Sequence, residues 1–175
     1  MKAGMLFTFI SLLFLLSHLS KAPVDLAMIK EDAKQGDPRA QFCLAQKYYY
    51  GNSAAPDPDQ AFSWYQKAAV LGYARAQFRL GLLYYNGVGV SQDFLEAAAW
   101  YNSAARQRHA GAAFNLGLLY LNGIGVLQDY EKAYIWLSVA VVNGNKKAIK
   151  PSDRVARYLS ATQKRQAQTL IARYF

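Results

Sequence analysis

Histidine and cysteine are the side chains that most readily do covalent or metal chemistry near neutral pH, and this 175-residue sequence is poor in both. Cys43 is its single cysteine, and His109 is the one histidine beyond the apolar N-terminus. One His and one Cys cannot make a zinc set, and a lone cysteine excludes an intramolecular disulfide. Between Phe42 and Leu44, Cys43 reads as a small buried hydrophobe. No serine stands in a G-x-S-x-G setting, and Gly87-Val88-Gly89-Val90 lacks the strand that precedes a phosphate loop. Eleven acidic residues leave room for a glycosidase-type pair. Yet Asp57, Asp93 and Asp129 recur at even spacing, as helix caps do. The expectation is no catalytic residue, no metal and no cofactor.

Recognition chemistry is better supplied. The chain has 13 Tyr, 9 Phe and 3 Trp, and aromatic rings with a polar tip give contact area at low entropic cost, with Arg also favoured at hot spots. Three comparable sets are candidates for binding a protein or peptide: Arg39 and Arg75; Tyr49 and Tyr85; Tyr50, Asn86 and Asn122. An Asn amide can grip both the N–H and the C=O of an extended peptide. Asn86 and Asn122 also precede glycines, so a local helix-end hydrogen bond is an equal alternative.

The scaffold that must position them is written in a 36-residue period. Trp64, Trp100 and Trp136 keep it, as do Phe42, Phe78 and Phe114; Leu44, Leu80 and Leu116; and Gly51, Gly87 and Gly123. Each period holds two helices. Ala76, Leu80, Leu83 and Tyr84 form one stripe; Ala97, Trp100, Tyr101, Ala104 and Ala105 form another. Asn86-Gly87-Val88-Gly89-Val90 turns the chain between them, and Asp93 with Glu96, like Asp57 with Gln60, opens the second helix as a capping box. Pro58 occupies a tolerated first-turn site. The repeats are expected at 37–72, 73–108 and 109–144, between an N-terminal capping helix at 23–36 and divergent C-terminal capping helices at 145–175. There Ser160 with Gln163 caps a last helix ending near Arg173. Gly36, Gly72 and Gly144 close second helices, whereas Arg108 replaces the glycine and predicts a stiffer or differently shaped junction. The Trp series is expected in the core, and the Phe series in inter-repeat packing.

The run Ala76-Gln77-Phe78-Arg79-Leu80-Gly81-Leu82-Leu83-Tyr84-Tyr85-Asn86-Gly87-Val88-Gly89-Val90, then Asp93, then Ala97 to Ala105, resembles the Sel1-like repeat family. The third repeat has Leu137 in place of the Tyr, and the first departs at Asn52–Pro56. The resemblance implies an all-α, right-handed α/α solenoid related to tetratricopeptide repeats. It also implies a role as adaptor or scaffold for protein partners on the concave side. A cysteine-rich branch linked to β-lactam binding carries a disulfide in each repeat, which Cys43 alone cannot supply.

Lys2 followed by an apolar run from Met5 to Leu19 has the form of a signal peptide or membrane anchor over 1–22. Cleavage after Ala22 would place Pro23 first. Export is expected, to the periplasm, the medium or the outer side of the cytoplasmic membrane, with membrane association through this segment if it is kept. A membrane- or cell-wall-associated assembly factor is the alternative to a free adaptor. The net charge of +9 suits acidic proteins or anionic head groups. Lys146 to Arg157 reads as a solvated helix face, and no nucleic acid is expected.

Overall fold

The computed structural model describes residues 26–51 and 55–172. The expected signal or anchor segment, residues 52–54 of the loop that departs from the repeat pattern, and the end at Arg173 lie outside the described residues. Within them the chain is an α/α solenoid without a strand: α1 (Leu26–Lys34), α2 (Pro38–Tyr50), α3 (Pro58–Val70), α4 (Ala74–Asn86), α5 (Phe94–Arg106), α6 (Ala110–Asn122), α7 (Tyr130–Val142), a 3-10 turn (Lys146–Ala148), α8 (Ile149–Ala156) and α9 (Ala161–Ile171). The pairs α2–α3, α4–α5 and α6–α7 are the three repeats, each packed on the next. Neighbour-to-neighbour stacking of this kind is what stabilises a solenoid.

Local chemistry sets the helix limits. Asp57, Asp93 and Asp129 accept from backbone N–H groups of the first turns of α3, α5 and α7, each cap contributing about 1 kcal/mol. The reciprocal bond of a full capping box forms at Ser160 with Gln163. Gly51, Gly87 and Gly123 end α2, α4 and α6 in the left-handed region. The second loop glycine does more: a Cβ on Gly89 would lie 2.3 Å from Pro58 O, so the loop of repeat 2 rests directly on the start of α3.

Three expectations need correction. Cys43 is exposed, not a buried hydrophobe, because the buried stripe of α2 runs through Gln41, Phe42, Leu44 and Ala45 and leaves Cys43 on the opposite side. Arg108 does not reshape its junction. It adopts φ 64°, in the left-handed region with Gly36, Gly72 and Gly144, and His109 N still donates to Ala104 O as Tyr73 N does to Ala68 O. The stack's geometry imposes the turn, and Arg108 bears the backbone cost, about 1–2 kcal/mol for a residue with a Cβ.

The Trp series is not uniformly core either. Trp136 is buried, but Trp64 and Trp100 are half-buried. The rings that fill the first two repeats belong to the next residues, Tyr65 and Tyr101, each 1% exposed. Tyr101 packs where α4 has Gly81, on which a Cβ would lie 2.7 Å from the ring. Trp64 instead packs at the seam with α1, against the cluster of Ile29, Ala33 and Leu44. The Phe series packs between repeats as expected: Phe42 meets Tyr65 and Tyr73 edge-on, and Phe78 stacks on His109 at 4.4 Å.

Candidate partner-binding groove

The first helices of repeats 2 and 3 together line a cleft of about 300 Å³. From α4 come Leu82, Tyr85 and Asn86, which the i, i+3, i+4 spacing puts on one stripe. From α6 come Asn115, Leu118 and Asn122, with Ile124 of the following turn at the rim. The floor is Tyr101 of α5.

Several bonds fix these walls before any partner arrives. The Tyr85 ring meets Phe94 edge-on at 5.2 Å, and its carbonyl accepts from Gln92 Nε2 at 2.8 Å. Gln128 repeats that staple on Leu121 O. Burial pushes the Tyr101 phenol up to about 12, against a smaller opposing effect from its hydrogen bond with Asn115. At physiological pH Tyr101 is therefore a neutral group that orients the Asn115 amide. Asn86 Nδ2 donates to Leu82 O at 2.9 Å. The local helix-end role is thus real, and one amide hydrogen and the side-chain oxygen are left for a partner.

Of the seven residues read from the sequence, the structure brings Tyr85, Asn86 and Asn122 together at this cleft. It does not bring the others. Arg75 lies on the first turn of α4, 11 residues from Asn86 and so about 16 Å away along the axis; Arg39 has the same place on α2. Tyr49 and Tyr50 lie one repeat earlier and pack on each other edge-on at 5.0 Å. Repeat 3 has no counterpart of Tyr85, because Leu121 there is buried. Asn115 was missed. Its signal was present: Asn115 and Asn122 are seven residues apart, on one helix stripe, where the other repeats have Cys43 and Arg79 in place of Asn115.

At the opposite end of α4, His109 caps α6 by accepting from Ala112 N at 3.1 Å. Burial lowers its pKa, and the charges of Arg75 and Arg79 lower it further, against a smaller raising effect of a backbone hydrogen bond. Among the described residues no three His, Cys, Asp or Glu side chains gather as a metal site. Nor is any described helix long and apolar enough to cross a membrane.

Comparison with known proteins agrees with this architecture. The Sel1 repeat family model matches residues 38–73, 74–109 and 110–141. A protective antigen of uropathogenic Escherichia coli strains, described as displaying an SLR fold, is 38% identical, with TM-score 0.69 over 71% of this chain and 27% of that one. A Sel1 repeat protein from Oxalobacter formigenes is also 38% identical, with TM-score 0.66 over 67% of this chain and 49% of that one. The chain thus spans less than half the length of either. Cysteine-rich protein B of Helicobacter pylori shares the fold at 22% identity and TM-score 0.59, over 72% of this chain and 93% of that one. No curated protein sequence matches the chain.

Proposed function

Because this chain belongs to the Sel1 repeat family, whose members commonly serve as protein-interaction scaffolds, we propose that it is an exported adaptor. Its cleft between α4 and α6 takes an extended segment of a protein partner. The observation that carries this reading is the convergence of three amides, Asn86, Asn115 and Asn122, on an apolar cleft with an anchored Tyr85. Amides pair with a peptide backbone, whereas Leu82, Leu118 and Ile124 accept an apolar side chain. The site's chemistry is hydrogen bonding and burial, with no charged side chain on its walls, so binding rather than bond-breaking is what it supports.

A quantitative pull-down tests the groove. The protein is compared with Tyr85→Ala/Asn86→Ala and, separately, with Asn115→Ala, each checked for an unchanged melting profile. Both variants should lose the same partner at least tenfold. Equal recovery of every partner by all three proteins would show that the cleft is not the binding site. Export rests on the Lys2 and Met5–Leu19 pattern; fractionation that leaves the protein in the cytoplasm would overturn that part alone.

A further inference from the structure

The excess of positive charge in the stack is concentrated at one end. Residues 26–144, which hold α1 and all three repeats, carry ten Lys and Arg against nine Asp and Glu. Residues 145–172 carry seven against one, a net +6 on 28 residues. The 3-10 turn contributes Lys146 and Lys147, both exposed. On α8, Ser152 and Val155 are buried, with the Ser152 hydroxyl 3.2 Å from that of Ser138 on α7. That contact fixes which side of α8 faces outward. Ile149, Lys150, Asp153, Arg154 and Arg157, all exposed, fall on one continuous outer arc. Lys164 and Arg165 follow on α9. Among the described residues none of these cations is in an ion pair, the bridge from Lys132 to Asp129 lying on α7.

Exposed apolar groups accompany the cations: Ile149 is 44% exposed and Tyr158, stacked on Tyr130, is 61% exposed. The cap's cations lie outside the α4–α6 cleft. An exposed helix face with Lys and Arg around an Ile and a Tyr matches the interfacial layer of an anionic bilayer. The same sequence carries an apolar run at Met5–Leu19 suited to a membrane. We propose that the C-terminal cap, from Lys146 to Arg165, is a docking face for anionic phospholipid head groups, separate from the α4–α6 cleft and independent of what that cleft binds.

Co-sedimentation of the full chain with vesicles tests this. One set is phosphatidylcholine alone; the other replaces about a third of it with phosphatidylglycerol. The apolar N-terminal run and its flanking Lys2 and Lys21 are common to the parent and to every variant, so comparing the phosphatidylglycerol increment among them isolates the contribution of the cap. Each cation near an anionic surface contributes roughly a fivefold factor in partitioning. Lys147→Gln/Lys150→Gln/Arg154→Gln should therefore cut the phosphatidylglycerol increment at least tenfold, and raising the salt from 50 to 500 mM should abolish it in the parent protein. The charge-matched control Lys30→Gln/Lys34→Gln/Lys47→Gln, at the other end of the stack, should keep the increment. Of the substituted residues only Lys47 is half-buried and the others are exposed, and an unchanged circular dichroism melt confirms that both variants fold. An absent increment, an increment that survives the cap variant, or an equal loss in the control overturns the proposal. So does binding to polyglutamate in place of vesicles, which would assign the face to an acidic protein.

Discussion

A polar pair at the repeat junction is complete in only one of the three repeats, and that asymmetry can be tested by substitution. Gln77, 7% exposed, reaches back with Nε2 to Ala69 O at 3.2 Å, and its Oε1 accepts from Gln107 Nε2 at 2.8 Å. Gln107 Nε2 also donates to Gly72 O at 2.9 Å. One repeat earlier, Gln41 makes the same reach to Ala33 O, but the place of Gln107 is taken by Leu71, and Gln41 Oε1 is buried without a partner. One repeat later the defect is inverted. Ala113 stands in the place of Gln77, and the buried Nδ2 of Asn143, in the place of Gln107, has no acceptor.

Leu71→Gln supplies the missing donor. Leu71 is 56% exposed and lies beside Gly36 and Gln41 on one groove, so little apolar burial is lost and the longer amide has room. A buried acceptor gaining a partner contributes about 1–2 kcal/mol, offset in part by the ordering of a Gln side chain. The expected net gain is about 0.5–1 kcal/mol. Asn143→Leu, which matches the apolar Ala113, should gain about 1 kcal/mol by removing an unpaired buried donor. Gln107→Leu recreates the defect of the first repeat and should cost about 1–2 kcal/mol. In the double variant Gln77→Ala/Gln107→Leu the coupling should appear as a cost about 0.5–1.5 kcal/mol below the sum of the single costs. Urea unfolding with a common slope reads these variants and the single Gln77→Ala that completes the cycle. If Gln107→Leu stays within about 0.3 kcal/mol of the parent, a change too small for a lost buried bond, or if Leu71→Gln destabilises, the account of the pair is wrong.

The lowered pKa of His109 carries a pH dependence. Its folded form holds the proton less tightly than the unfolded chain, whose imidazole titrates near 6.5. Its contribution to stability is therefore complete above that value and falls as pH drops through it toward the folded pKa. His109→Asn keeps a capping acceptor without a titrating ring, so the difference in melting temperature between parent and variant should shift against the parent from pH 7 to pH 5. A constant difference would refute the assignment. At the turns, Gly144→Ala meets no atom within 4 Å and should cost about 1 kcal/mol. Gly89→Ala also drives a Cβ into Pro58 O and should cost about 3 kcal/mol or more. The same urea experiment reads both.

The repeat was legible because the positions that pack each hairpin recur: Leu44, Leu80 and Leu116 are all buried, and the Asp caps all accept the bonds assigned to them. Residues in a regular register reveal a face but not a height along it. That is why Arg39 and Arg75 were grouped with Tyr85 and Asn86 although they lie at the other end of their helices. The exchange of Trp for Tyr as the buried ring was not legible, because adjacent residues of a helix differ by only 100° and the choice depends on where Gly81 lets α4 approach α5. Nor was the Gln77–Gln107 pair, whose partners are 30 residues apart and belong to different helices. Arg108 shows the reverse case: the local preference of the residue was read correctly and the stack overrode it.

Positions that keep the period build the stack, so whatever distinguishes this chain from a generic array must lie in positions that break it. Two sets do. Cys43, Arg79 and Asn115 share a register, as do Tyr50, Asn86 and Asn122, and the changes within them put amides around the α4–α6 cleft and nowhere else among the repeats. The second set is the cap, where seven cations meet one carboxylate. These two surfaces differ in the physics of attraction. Amide and apolar contacts in the cleft are insensitive to ionic strength, whereas attraction by exposed cations decays within a Debye length of about 8 Å at physiological salt. Partner retention that survives 500 mM salt but fails in Asn115→Ala belongs to the cleft. Retention that fails at 500 mM salt and in Lys147→Gln/Lys150→Gln/Arg154→Gln belongs to the cap. If one treatment abolished both, the two surfaces would have to act as a single site, contrary to the absence of any charged side chain from the lining of the cleft.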